Sequence, residues 1–239
     1  MTGLIRFIEE TGSTNADVAA ALRSNEPPAE GDWLVTRRQT AGRGRQGREW
    51  FDGAGNFMGS CVVELRVGDP PPASLSFVAA IAVAQAIQES LGGACEPALK
   101  WPNDVLLDGG KASGILLEMV GRSVVVGIGV NLLQAPELPD RKTATLTQFG
   151  SSPTPEEFAR TLAEKFAAQL SAWRNRGLDP ILKTFLINSS HSLGSPVSVH
   201  DPDGSRIEGT FAGLEETDGA LRLRLADGFE RVIRAGDIS

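Results

Sequence analysis

Between Arg37 and Trp50 the chain reads Arg-Arg-Gln-Thr-Ala-Gly-Arg-Gly-Arg-Gln-Gly-Arg-Glu-Trp. Five arginines fall within the 12 residues from Arg37 to Arg48, and no acid lies between Asp32 and Glu49. Glycine lets backbone N–H groups approach an anion closely, and a guanidinium offers forked donors to carboxylate or phosphate. Gly42, Gly44 and Gly47, interleaved with Arg43, Arg45 and Arg48, therefore read as an anion-binding loop and not as a solvated surface loop. The same glycines match G-x-G-x-x-G literally, but a dinucleotide site also needs a helix directly after them. Trp50-Phe-Asp-Gly-Ala-Gly-Asn56 cannot begin a stable helix, so that reading is rejected. A Walker phosphate loop is absent.

Four further groups could carry chemistry. Lys100-Trp-Pro-Asn-Asp104 places a cation, an aromatic, a rigid proline and two short polar residues at a strand entrance. Lys111 follows Asp108-Gly-Gly, where a lysine can point onto a ligand oxygen, and Ala112-Ser-Gly114 comes next. Gly127-Ile-Gly-Val-Asn131 ends a β-branched run with two glycines, which mark a bulge or the close approach of a ligand. Ser13-Thr14-Asn15 supplies hydroxyl and amide groups at a helix start. Taken alone, each has a plain structural alternative: a turn, a surface lysine, a bulge and a cap.

These groups need a scaffold. Residues 3–9 read as a strand, followed by a helix capped by Ser13 or Thr14. Strands are expected at Trp33–Thr36, Cys61–Val67, after Lys100, and at 113–120 and 123–132, the last two joined by a Gly121-Arg122 hairpin. Residues 40–56 are too irregular for helix or sheet. Ser74 starts an apolar helix that runs to Leu91, and its most apolar window, Phe77–Ile87, is about 11 residues long, short for a membrane span. Thr154-Pro-Glu-Glu157 carries the capping-box pattern, and the helix after it keeps Phe158, Leu162, Phe166, Leu170 and Trp173 on one face. Asp179-Pro180 opens another helix. From Gly194 short alternating runs are broken by Asp201-Pro-Asp-Gly204, Thr217-Asp-Gly219 and Asp227-Gly228, the signature of a small β-barrel.

Composition narrows the function classes. The chain has 239 residues and a net charge of −7, which disfavours a nucleic-acid partner because phosphate affinity comes from clustered Lys and Arg. The beginning of the chain lacks the charged-then-apolar pattern of a signal peptide. Two cysteines, Cys61 and Cys95, and two histidines, His191 and His200, make neither a disulfide framework nor a convincing zinc site. A cytoplasmic protein that engages no membrane is expected.

Gly12-Ser-Thr-Asn15, Gln39 to Trp50, Lys100 to Asp104, Lys111-Ala-Ser-Gly-Ile-Leu-Leu-Glu118 and Gly127 to Asn131, in this order, resemble the biotin protein ligase family. The resemblance is strong over residues 11–132 and weaker to the end, through Phe211-Ala-Gly-Leu and Ala235-Gly-Asp-Ile. It implies an α+β fold: a class II aminoacyl-tRNA synthetase-like catalytic domain over residues 1–190, then an SH3-like β-barrel over 191–239. It also implies two chemical steps. Biotin and MgATP give biotinyl-5′-AMP and pyrophosphate, and a lysine of a biotin carboxyl carrier domain then takes the biotinyl group.

Residue roles follow from the resemblance. Lys111, with Arg43, Arg45, Arg48 and Asp104, would form the catalytic set. Ser13, Thr14, Asn15, Gln39, Gly42, Gly44, Gly114 and Gly129, with Arg43, Arg45 and Lys111, would hold biotin. Trp50, Lys100, Asn103 and Asn131, with Arg45, Arg48 and Lys111, would serve the nucleotide. Asp104 could hold the incoming lysine or a magnesium shell, and protein ligands for Mg2+ are left unassigned. Gln46 replaces an arginine found in some relatives, and Phe57-Met-Gly-Ser60 departs from the commoner aromatic pattern. The cap motif begins at residue 12, so no room is expected for the operator-binding helix-turn-helix that some relatives carry. Monomer and homodimer both remain open. Two other readings are weighed: a lipoate ligase or octanoyltransferase on a similar fold, and a non-catalytic biotin-binding module.

Overall fold

A computed structural model describes residues 3–139, 141–200 and 205–239. The Asp201-Pro-Asp-Gly204 turn and the first two residues lie outside the described residues. The first sheet has seven strands: β1 (Ile5–Thr11), β2 (Trp33–Gln39), β3 (Phe57–Glu64), β4 (Ala98–Lys100), β5 (Asp104–Leu107), β6 (Gly110–Val120) and β7 (Ser123–Val130). Their spatial order is β1-β2-β3-β7-β6-β5-β4. The β1–β2 pair is parallel, and the other pairs are antiparallel. The sheet is therefore mixed, as expected.

Alternation along β7 decides what each face does. Val124, Val126, Ile128 and Val130 face the main core, built with the helices α2 (Leu75–Ser90) and α3 (Pro155–Arg176). Val125, Gly127 and Gly129 face the other way, and Val125 joins a small second cluster with Val18 and Val62. That second face carries the helix α1 (Thr14–Ala21). Glycine in place of a branched side chain at 127 and 129 leaves room above the sheet, and the cleft opens there.

The helix starts follow their chemistry. Thr154 accepts from Glu157 N at 3.2 Å, and Glu157 reaches back to Thr154 N at 2.8 Å, so the capping box is complete. Ser13 caps α1, though its 3.4 Å contact from Ala16 N is long. Ser74 does not cap α2 through its side chain. It donates to Pro71 O and accepts from Trp173 Nε1 at 2.7 Å, which ties α2 to α3. The segment Pro72–Ser90 is long and apolar enough to cross a bilayer by length and composition, yet 67% of its most apolar window is buried inside the fold. A fourth helix, α4 (Asp179–Ile187), lies where Asp179-Pro180 predicts one.

The expected C-terminal barrel does not form. Strands β8 (Pro196–His200), β9 (Arg206–Leu214), β10 (Leu221–Arg224), β11 (Glu230–Ile233) and β12 (Asp237–Ile238) make an open antiparallel sheet in the order β11-β10-β9-β8-β12. β11 and β12 are its two edges and do not pair with each other. The physical reason lies in the packing. Phe211, Leu214, Leu221 and Leu223 join the same core as Phe77 and Phe185, so one face of this sheet is buried against the first domain. Closure is not needed to cover that face, and a two-residue β12 is too short to bridge back. Trp101 Nε1 donates to Gly219 O at 3.1 Å across the same junction.

Candidate active site

The cleft above Gly127 and Gly129 has a volume of about 570 Å³. Its wall includes Ser13, Thr14, Asn15, Gln39, Gly42, Arg43, Gly44, Arg45, Arg48, Trp50, Asn103, Asp104, Lys111, Gly114, Gly129 and Asn131. Of the residues expected at a site, Lys100 alone lies outside this wall. Lys100 pairs with Asp104 across β4 and β5 and is partly buried behind it. Burial holds its ammonium below the usual lysine range, helped by the charges of Lys111 and Arg141 and opposed by Asp104 and Asp237.

One end of the cleft is a polar relay at the start of α1. Gln39 Oε1 accepts from Thr14 N at 2.8 Å and lies 3.0 Å from Thr14 Oγ1. Thr14 Oγ1 contacts Ser60 Oγ at 2.7 Å, and Ser60 donates to Asn15 Oδ1 at 2.6 Å. Asn15 Nδ2 donates to Glu118 Oε2 at 2.6 Å. A Cβ at Gly127 would overlap the Asn15 amide, so this glycine is where it is to let Asn15 lie on the sheet.

The middle of the cleft carries the charge. Lys111 Nζ lies 2.7 Å from Asp104 Oδ1, and both side chains are about four-fifths buried (22% and 18% exposed). The Trp50 ring lies 5.9 Å from that ammonium and rests against Gly114 and Gly129. The close approach expected at these glycines is thus first an approach of Trp50. Asn103 Nδ2 donates to Ile115 O and Asn131 Nδ2 to Lys111 O, which fixes both amides from behind. Asn131 is 3% exposed, and its Oδ1 has no protein partner.

The glycine–arginine loop is more ordered than its sequence suggests. A 3-10 turn spans Arg45–Gly47, with Gln46 at φ 58° and Gly47 at φ 73°. Gly44 N donates to Arg48 O and Trp50 N to Gly42 O, closing a narrow hairpin bridged at Arg43 and Glu49. Its five arginines divide in two. Arg37 pairs with Glu156 at 2.8 Å, away from the cleft, and Arg38 with Glu10 at 2.9 Å and, behind the wall, with Asp52 at 3.3 Å. Arg43, Arg45 and Arg48 line it, with Arg43 exposed at the rim.

Asp237 is a wall residue that sequence reasoning missed. It comes from β12, nearly two hundred positions beyond the loop, and accepts from Arg48 Nη2 at 2.6 Å. Arg45 Nη1 reaches Asp237 Oδ1 at 3.4 Å, Gly236 O at 3.3 Å and Asn103 Oδ1 at 3.1 Å. Burial alone would raise the Asp237 carboxyl. The Arg48 hydrogen bond and the charges of Arg48, Arg45 and Lys111 outweigh it and hold the group below the usual carboxylate range. Ser60, Glu118 and Asp52, which accepts from Gln39 N at 2.9 Å, were also missed. The Lys111-to-Glu118 block contains Glu118, so a signal for that residue was present.

Among the described residues no group of three or more His, Cys, Asp or Glu could hold a metal ion. Asp104 and Asp237 enter the cleft singly. That donor set suits a magnesium that keeps water and phosphate oxygens as ligands and arrives with its nucleotide.

Known proteins share this architecture. Residues 6–134 match the Biotin/lipoate A/B protein ligase family, and residues 192–239 match the Biotin protein ligase C terminal domain. A biotin–[acetyl-CoA-carboxylase] ligase of Paracoccus denitrificans is 39% identical over 97% of this chain and 98% of its own length. The corresponding ligase of Mycobacterium tuberculosis is 36% identical over 97% of this chain and 86% of its own. A biotin protein ligase from Aquifex aeolicus, solved in complex with biotin and ATP, superimposes with a TM-score of 0.84 at 25% identity, covering 99% of this chain and 97% of that one. With both segments matched and relatives aligned end to end, the chain belongs to the biotin protein ligase family.

Proposed function

We propose that the cleft above Gly127 and Gly129 performs both steps of carrier biotinylation, with residue roles that the geometry above supports. The enzyme is an ATP-dependent biotin–[biotin carboxyl carrier protein] ligase. Its substrates are biotin and ATP. A biotin carboxyl carrier domain takes the biotinyl group on a lysine. The observation that carries the site assignment is the Lys111–Asp104 pair, set in one cleft with Arg43, Arg45 and Arg48.

In the first step a biotin carboxylate oxygen attacks the α-phosphorus of ATP, and the bond to the β-phosphate breaks, releasing pyrophosphate. Two anions must meet, and the negative charge on phosphorus grows. Lys111 contacts the carboxylate oxygen and the α-phosphate together, holding them in line. Arg43, Arg45 and Arg48, with loop N–H groups, stabilise the developing charge. Ser13, Thr14, Asn15 and Gln39 take the ureido end of biotin. Gly42, Gly44, Gly114 and Gly129 give its ring and chain room. Trp50, Asn103 and Asn131 form the nucleotide end, and Lys100 acts there from behind Asp104. Magnesium travels with the triphosphate, neutralising its charge when bound.

In the second step the neutral carrier ε-amine attacks the mixed anhydride carbonyl, AMP leaves with the bonding pair, and the surplus amine proton passes to solvent. Asp104 orients the incoming amino group as well as Lys111. The 1–190 and 191–239 segments act as catalytic and C-terminal domains, the latter an open sheet that reaches the cleft through Asp237. A cytoplasmic setting, with no membrane and no nucleic-acid partner, agrees with two unpaired cysteines and a net charge of −7.

One assay tests the reading. The protein is incubated with ATP, magnesium, a carrier domain, and either biotin or lipoate. Biotin-dependent pyrophosphate release and a streptavidin-detectable carrier are expected. Lipoylation alone, or no turnover, would remove the assignment.

A further inference from the structure

The relay behind Thr14 has a proton count that does not close by itself. Three short contacts run in series: Asn15 Oδ1 to Ser60 Oγ at 2.6 Å, Ser60 Oγ to Thr14 Oγ1 at 2.7 Å, and Thr14 Oγ1 to Gln39 Oε1 at 3.0 Å. Only the two hydroxyls carry protons to place in them. The outer end fixes the first contact. A carboxylate accepts and cannot donate, so Glu118 turns the Asn15 amide with Nδ2 toward itself. Asn15 Oδ1 then faces Ser60 as an acceptor and takes its proton. Thr14 then has one proton for two acceptors, Ser60 Oγ and Gln39 Oε1. Gln39 Oε1, at the cleft wall, also accepts from Thr14 N, so the contact to spare is Thr14 Oγ1 to Gln39. It is the one contact of the three that a ligand can replace without leaving a buried group unpaired.

We infer that Ser60, with Glu118 as its outer anchor through Asn15, is a positioning residue for the ureido end of biotin. This rests on the proposed placement of biotin at Thr14 and Gln39. Ser60 is fully buried on β3 and is not a wall residue, so it acts through Thr14 and Asn15. Glu118 is solvent-exposed, and water can partly take its place.

Ser60→Ala removes the central hydroxyl at little change of volume and leaves the Asn15 acceptor without a partner. The KM for biotin should rise about tenfold, the scale of one buried hydrogen bond lost with a partner orphaned. The KM for ATP and kcat at saturating biotin should stay within about twofold. Glu118→Leu should raise the biotin KM in the same direction by about threefold, because exposure weakens it. Glu118→Gln keeps an acceptor for Asn15 but can also donate, so it pins the amide less firmly and should fall between wild type and Glu118→Leu.

An unchanged biotin KM in Ser60→Ala overturns the inference. So does an equal rise for ATP, or a loss in Glu118→Gln matching that in Glu118→Leu, since either would mark a general structural defect. If Ser60→Ala does not fold, the Glu118 pair decides alone. Wild type is run beside the variants with biotin and ATP. Its failure to release pyrophosphate would refute the placement of biotin itself, whereas normal wild type with normal variants refutes only the relay.

Discussion

Lys111 Nζ is held 2.7 Å from Asp104 Oδ1 in a cleft whose wall also carries Arg45 and Arg48. The register puts them there: β5 and β6 pair antiparallel, with a shift between Val105 and Leu106 that sets Lys111 opposite Leu106. An ammonium so placed neutralises one carboxylate and can be turned onto another anion. Lys111→Ala should therefore slow biotinyl-AMP formation by about a hundredfold or more, the scale of losing one preorganised electrostatic stabiliser. Far-ultraviolet circular dichroism should match wild type. Near-normal adenylate formation, measured by pyrophosphate release without carrier, would take Lys111 out of the mechanism.

Asp237 joins the C-terminal sheet to the glycine–arginine loop through the 2.6 Å bond from Arg48 and the longer contact from Arg45. Asp237→Ala should loosen both arginines. The expected result is a rise in the KM for ATP of about tenfold, the order of one charge-assisted hydrogen bond, and faster escape of biotinyl-AMP. The native carboxyl is depressed below its ordinary range, so the latch is intact above that range and weakens as pH falls through the native value. Wild type and the variant should thus converge at acid pH. Indistinguishable adenylate release rates at pH 7 would show that the C-terminal sheet does not steady the loop.

Much of the site was legible because its residues lie in short blocks with unusual local chemistry. Three arginines among glycines, a lysine after Asp-Gly-Gly, and glycines inside a valine run each violate what a plain surface or strand would carry. What stayed hidden was set by distance or by environment. Nothing near Asp237 in the chain indicates that β12 ends beside Arg48. Ser60 is an ordinary strand serine until the register places it opposite Gly127 and under Thr14. Arg37 and Arg38 look like part of the anion site by composition, yet neither lines it: β2 carries Arg37 to Glu156, and Arg38 to Glu10 and the wall residue Asp52. The barrel failed for a similar reason. Alternation and turns identify strands, but whether a small sheet closes depends on what covers its apolar face, and here the first domain does.

Gly127 and Gly129 make steric demands that can be tested separately. A Cβ at Gly127 meets the Asn15 amide, and one at Gly129 meets the Trp50 indole. Neither glycine needs a left-handed backbone, so alanine is excluded by space alone. Gly127→Ala should raise the KM for biotin by displacing the relay. Gly129→Ala should instead move Trp50, changing tryptophan fluorescence and impairing the nucleotide side. Equal effects of the two substitutions on biotin and ATP would mean that the cleft does not divide into two ends.

Arg174 on α3 supports the scaffold far from the cleft. It forms a bidentate pair with Glu30, at 2.6 Å for each bond, and donates to Glu64 O and toward Asp69. Its side chain is 11% exposed and that of Glu30 is 22% exposed, so the pair is screened only weakly. Burial would raise the Glu30 carboxyl, but the hydrogen bond and charge of Arg174, the Glu64 N–H and Arg66 lower it below the usual glutamate range. A depressed native carboxyl adds stability above its unfolded value, and that stability is lost as pH falls through the native one. Arg174→Met keeps most of the apolar stem, leaves Asp69 without its guanidinium partner and leaves Glu30 with Arg66 alone. It should cost on the order of 2 kcal/mol at pH 7, or about 5 °C in melting temperature for a chain of this size. The difference should shrink as pH falls below the ordinary glutamate range and through the depressed native value of Glu30. A gap that stays constant across that range, followed by thermal melts of both proteins, would show that Arg174 stabilises the scaffold through packing and not through its charge.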